Sequence, residues 1–195
     1  MVELDINQQL SMLSLARKTI ADKLSIETHI EPAAFDEKIY AEKCGAFVTL
    51  YKKGELRGCI GYIEGYKSIP DTVREMAVSA AFKDPRFSPI KADEYDLIDL
   101  EISVLSPIEK VNDLSDIVVG RDGLIITRGY NRGLLLPQVA TEYGWDRKTF
   151  LEQTCRKAGL PINAWEDPST VIEKFSAQVF GEKTLHDKIN NNGTL

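Results

Sequence analysis

The chain has 195 residues, 43% of them hydrophobic and 28% charged, which suits one sizeable core or two small packed subdomains and argues against disorder. Its 30 acidic and 24 basic side chains leave a formal charge of -6, which works against a broad phosphate-binding face and against nucleic acid as the main partner. The amino terminus lacks a basic start followed by an apolar core, and no apolar run approaches the roughly twenty residues that cross a bilayer. A cytoplasmic protein with no membrane partner is therefore expected. Cys44, Cys59 and Cys155 are widely spaced and odd in number, which suits free thiols. There is no CxxC pair, and His29 and His186 have no companion ligand at zinc-site spacing, so neither a metal nor a cofactor is expected.

In chain order, Asp5 can cap a helix running to about Leu24, with Leu10, Leu13, Ala16, Ile20 and Leu24 as its apolar stripe and Arg17 and Lys18 outside it. Pro32 to Phe35 reads as a loop. Ala46 to Tyr51 and Leu56 to Ile63 read as a β-hairpin joined through Lys52-Lys53-Gly54-Glu55. Pro70 and Asp71 open a second helix, with Val73, Met76, Ala77 and Ala80 on its inner face and a stop near Asp84-Pro85. Leu97 to Leu105 alternates as a strand, with Ile98, Leu100, Ile102 and Val104 on one side and Asp99, Glu101 and Ser103 on the other. A second hairpin follows, Gly123 to Thr127 with Gly133 to Leu136. Pro137 begins a short helix to Tyr143, and Asp146 caps another that reaches Ala158 and stops at Gly159. Val171 to Phe180 is the last strand, and residues 186–195 read as a flexible tail after a single domain spanning 1–185. Hairpin links outnumber helical crossovers, which predicts an α+β fold with largely antiparallel sheets and packed helices.

Chemistry concentrates at Leu56 to Gly61, LRGCIG. Strict alternation puts Leu56, Gly58 and Ile60 on one face and Arg57, Cys59 and Gly61 on the other, a thiol beside a guanidinium. Cys59 reads as a nucleophile or proton donor, or as a small buried hydrophobe. Arg57 reads as an anion ligand, or as a structural ion pair to Glu101 or Asp84. Glu101 and Ser103 share a polar strand face, with Glu101 the candidate acid/base. Asp84 and Arg86 read as a local pair in a turn, or as charges brought to a ligand. Gly58 and Gly61 allow close approach of a neighbouring strand or of substrate. Gln138 gives its short helix a polar face, with Glu142 one turn on. Gly120-Arg121-Asp122-Gly123 lacks the spacing of a phosphate loop, and Trp145, Trp165 and Cys155 read as packing residues.

LRGCIG, Asp84-Pro85-Arg86-Phe87, Leu100 to Ser106 (LEISVLS), Gly133 to Ala140 (GLLLPQVA), Glu142 to Asp146 (EYGWD), Phe150-Leu151, Cys155 to Leu160 (CRKAGL) and Trp165 together resemble the AMMECR family. The resemblance runs from the first helix to Phe180. It implies an α+β fold of a larger and a smaller subdomain, with the signature near a cleft between them. The functional expectation is an enzyme or enzyme-like protein that binds a small anionic or polar ligand in that cleft. The alternative is a non-catalytic adaptor recognising a peptide or partner protein.

Overall fold

The structure, a computed structural model, describes residues 3–31, 34–35 and 37–185. The loop expected at Pro32 to Phe35 lies partly outside the described residues, and His186 and the tail expected at 186–195 lie wholly outside them.

Helix α1 (Ile6–Leu24) starts where the sequence places its cap: the Asp5 carboxylate accepts the Gln8 N–H, and the Gln8 side chain accepts the Asp5 N–H, each at 2.9 Å. Its buried stripe is Met12, Leu13, Leu15, Ala16, Ile20 and Ala21, whereas Leu10, expected inside, is 36% exposed. After the short α2 (Glu37–Ala41), strands β1 (Ala46–Lys52) and β2 (Glu55–Tyr62) form the expected hairpin. Helix α3 (Ile69–Phe82) is capped by Ser68 and ends just before Asp84-Pro85, as the proline requires. A 3-10 segment, Ala92–Leu97, leads into β3 (Ile98–Leu105). It was not foreseen.

The chain divides into two compact units, residues up to Leu105 with those from Gln178 onward, and Ser106–Ala177. In the first, β1 lies antiparallel between β2 and β3, with Val48, Leu50, Leu100, Ile102 and Val104 buried in one core with the inner faces of α1 and α3. Alanines at 77, 80 and 81 let the α3 backbone come close to the sheet, and a Cβ at Gly58 would stand 2.2 Å from the Ala80 carbonyl oxygen. Gly58 is thus approached by a helix rather than by a strand. Arg17, expected outside the stripe, is an anchor of this unit: its guanidinium pairs with Glu182 and donates to the carbonyls of Tyr95 and Ile98 at 2.7 and 2.8 Å.

The second unit holds β4 (Glu109–Lys110), β5 (Asp122–Arg128), β6 (Asn131–Leu135) and β7 (Val171–Gly181), which runs on into the first unit. β7 pairs with β4 and β5, and β5 pairs with β6, all antiparallel. Helices α4 (Pro137–Glu142) and α5 (Arg147–Lys157) contribute Ala140, Phe150, Leu151 and Cys155 to a separate core that Trp145 and Trp165 flank.

One local reading of the sequence is corrected. The register steps from Leu50↔Gly58 to Tyr51↔Leu56, so Arg57 has no opposite residue and β2 carries a bulge there. Leu56, expected beside Gly58 and Ile60, instead lies opposite Tyr51 and is 40% exposed. A one-residue bulge reverses alternation behind it.

Gly58→Ala should destabilise the protein by about 2 kcal/mol, because the added methyl meets helix backbone rather than a movable side chain. Denaturant unfolding measures this. An unchanged midpoint would show that α3 does not seat on Gly58.

Candidate functional site

The face of β1–β3 opposite the helices carries Thr49 and Tyr51 from β1, Cys59 from β2, and Glu101 and Ser103 from β3. Thr49 stands directly opposite both Cys59 and Glu101, so thiol, hydroxyl and carboxylate form one row across three strands. The Cys59 N–H is bonded to Asp84 rather than to β1, which makes Thr49/Cys59 a non-hydrogen-bonded pair, the kind whose side chains lie closest. The Thr49 hydroxyl donates to Cys59 Sγ at 3.3 Å, and the Tyr51 hydroxyl donates to Glu101 Oε1 at 3.4 Å. Ser103 is buried one pair further along, opposite Phe47. The Phe47 ring covers Gly61, where a Cβ would be 2.3 Å from the ring. Gly61 therefore accommodates its own neighbour.

β2 is an edge strand, so the outward N–H and C=O of Cys59 need partners from outside the sheet. The turn after α3 supplies them. Asp84 Oδ2 accepts the Cys59 N–H at 2.9 Å, and Arg86 Nη2 reaches the Cys59 carbonyl at 3.3 Å. Arg86 also forks onto Asp84, at 2.9 Å from Nε and 2.6 Å from Nη2. The guanidinium, helped by the Cys59 and Arg86 amides and opposed by desolvation, holds the Asp84 carboxyl far below the usual range. Asp84 and Arg86 thus pair locally, as one reading of the sequence expected, and together they fix the backbone of Cys59.

Burial pushes the Cys59 thiol up, and the Asp84 and Glu101 charges add to this. The Thr49 hydroxyl and Arg86 act the other way and do not prevail. At neutral pH Cys59 is a thiol, not a thiolate.

Arg57 does not pair with Glu101 or Asp84, the two partners considered from sequence. Bulged toward the strand edge, it forks onto Glu94 at 3.2 and 3.1 Å and donates to the Ser88 carbonyl at 2.8 Å. Lys52 adds a 2.7 Å ion pair to the same carboxylate. Arg57 first and Lys52 second draw the Glu94 pKa from 4.5 down to about 2. Of the residues singled out from sequence, Cys59, Glu101, Ser103 and Gly61 share one sheet face, and Asp84 and Arg86 bind the edge of that face. Gly58 faces the helices, and Gln138 belongs to the second unit, where its Oε1 is buried with no hydrogen-bond partner among the described residues. Thr49, Tyr51 and Glu94 were missed. The alternation of β1 against buried Val48 and Leu50 was the signal for the first two, whereas Glu94 lies in a 3-10 segment with no apolar period.

Among the described residues, no cluster of three or more histidine, cysteine, aspartate or glutamate side chains could hold a metal, and no helix is long and apolar enough to cross a membrane.

The AMMECR1 family model matches residues 13–180. A protein of Methanothermobacter thermautotrophicus is 47% identical over 178 residues, covering 88% of this chain and 93% of its own length. One from Methanocaldococcus jannaschii is 46% identical over 168 residues, covering 82% of this chain and 80% of its own. The crystal structure of an uncharacterized protein from Pyrococcus horikoshii is similar at a TM-score of 0.78 and 41% identity, covering 88% of this chain and 89% of that one.

Glu94 contributes stability that is complete above its ordinary pKa of 4.5 and lost as pH falls through about 2, because its folded-state pKa is depressed. The stability of Glu94→Gln should therefore fall less steeply with acidification than that of the wild type. Equal slopes in acid unfolding curves would show that the pairing with Arg57 and Lys52 contributes nothing.

Proposed function

The chain belongs to the AMMECR1 family, and from that premise we propose that it is an enzyme-type protein acting by proton transfer on a small polar or anionic ligand at the Cys59 face of β1–β3. The observation that carries this reading is the row Cys59–Thr49–Glu101, with the Cys59 backbone held by Asp84 and Arg86.

Each residue has a role set by its surroundings. The Cys59 thiol, protonated at neutral pH, is the proton donor, and Thr49 and Arg86 stabilise the thiolate left behind. Glu101 is the matching base and takes a proton from the ligand. Adjacent strands are about 4.8 Å apart, so the two outer members of the row are separated by roughly 10 Å at the backbone, a distance that a ligand of a few heavy atoms lying over Thr49 would span between the two side chains. Arg86 orients an anionic group with the edge of its guanidinium that Asp84 does not take.

The adaptor reading has weaker support. A peptide recognised by strand addition would need the free edge of β2, and at Cys59 that edge is taken by Asp84 and Arg86.

A thermal-shift screen of small polar and anionic metabolites tests the proposal, since a ligand at a hundredfold excess over its Kd adds about 2.7 kcal/mol to the folded state. Compounds that stabilise the wild type should stabilise Arg86→Gln less, and any turnover found should be lost in both Cys59→Ala and Glu101→Gln. Turnover unchanged in those two variants would overturn the proton-transfer role.

A further inference from the structure

Beside the outer edge of β2, the first unit has a cleft of about 490 Å³ whose lining includes Lys52, Arg57, Arg86, Phe87, Lys91 and Glu94. Its volume falls in the range of small-molecule sites. We infer that this cleft binds the phosphate group of a small phosphorylated molecule, with Arg86 Nη1 and Lys91 Nζ as its principal donors. The inference deepens the reading above, on which it rests in taking Arg86 as common to the cleft and to the Cys59 edge.

Charge comes first. Four cationic side chains line the cleft against the carboxylates of Asp93 and Glu94. Even with Asp84, buried behind Arg86, the balance is positive in a chain whose net charge is -6. The cations are also not equivalent. Glu94 occupies Lys52 and Arg57, so those two set the local field more than they donate.

Arg86 and Lys91 are placed differently. The Arg86 guanidinium gives Nε and Nη2 to Asp84 and the Cys59 carbonyl, and lies 5.3 Å from the centroid of the Phe87 ring. Its Nη1 has no hydrogen-bond partner among the described residues, and its side chain is 53% exposed. The Lys91 ammonium likewise has neither a hydrogen bond nor an ion pair among the described residues. An ammonium has three donors and a guanidinium terminal nitrogen two. That supply exceeds what a carboxylate, with two oxygens and one charge, can use. A phosphate monoester carries about -1.5 to -2 charges and three acceptor oxygens, enough acceptors for both donor groups.

Titration calorimetry with inorganic phosphate, and with acetate as the carboxylate comparison, tests the assignment. Phosphate should bind saturably and more tightly than acetate, and weaken as salt is added. Lys91→Gln should bind phosphate roughly tenfold more weakly, the loss expected for one charge-assisted contact, and Lys91→Glu more weakly still. The exposed Lys148→Gln, on α5 of the second unit, should match the wild type. No saturable phosphate binding, acetate binding as tightly as phosphate, or unchanged affinity in both Lys91 variants would overturn the inference. The two claims fail separately. Phosphate binding that Lys91→Gln weakens, with turnover intact in Cys59→Ala, rejects the thiol role and keeps the cleft. Turnover lost in Cys59→Ala with no phosphate binding does the reverse.

Discussion

The Asp84 carboxylate is the contact on which the rest of the site depends. β2 ends its side of the sheet, and an edge strand leaves backbone groups without partners. Asp84 and Arg86 stand in for the missing neighbour at Cys59, the one residue of LRGCIG with a reactive side chain. Their placement traces back to packing. Gly58 lets the α3 backbone touch the sheet, α3 ends at Phe82, and the chain turns at Asp84-Pro85 to return its carboxylate to the strand. A glycine on the core face thus sets the position of the charge pair that fixes the opposite face.

Electrostatics then sorts the cations by role. Arg57 and Lys52 are held by Glu94, which is a good structural arrangement because the Arg57–Glu94 contact is forked and both of its side chains are only 14% exposed. Arg86 is held on one side and open on the other. For Cys59 the competition is between desolvation, which favours the thiol, and the Thr49 hydroxyl with the Arg86 charge, which favour the thiolate. Desolvation prevails, so the chemistry that best suits this residue is giving a proton rather than attacking at rest.

Much of this was legible in the sequence where a period or a cap governed the structure. The Asp5 cap, the β1–β2 hairpin, the alternation of β3 and the stop of α3 at Asp84-Pro85 all came from local rules, and the α+β fold with its antiparallel pairing followed from hairpin spacing. The bulge at Arg57 was hidden because nothing in LRGCIG marks which residue loses its partner, and that single step moved Leu56 off the expected face. Arg17 was placed outside the apolar stripe, but its anchoring role was not legible because its partner, Glu182, is 165 positions away. Glu94 was invisible for the same reason: a long-range ion pair has no signature in either local sequence. The rows of β1 and β3 could be placed by alternation, but only the register showed that Thr49 lies between Cys59 and Glu101.

The most direct measurement is the pH dependence of Cys59 alkylation in the folded protein, followed by mass spectrometry of the Cys59 peptide, in the wild type and in Glu101→Gln. The account predicts a midpoint above the ordinary thiol value of 9.0 in the wild type, moving downward when the Glu101 charge is removed. A midpoint below 9.0, or one that Glu101→Gln leaves in place, would contradict a partly buried, protonated thiol coupled to that carboxylate.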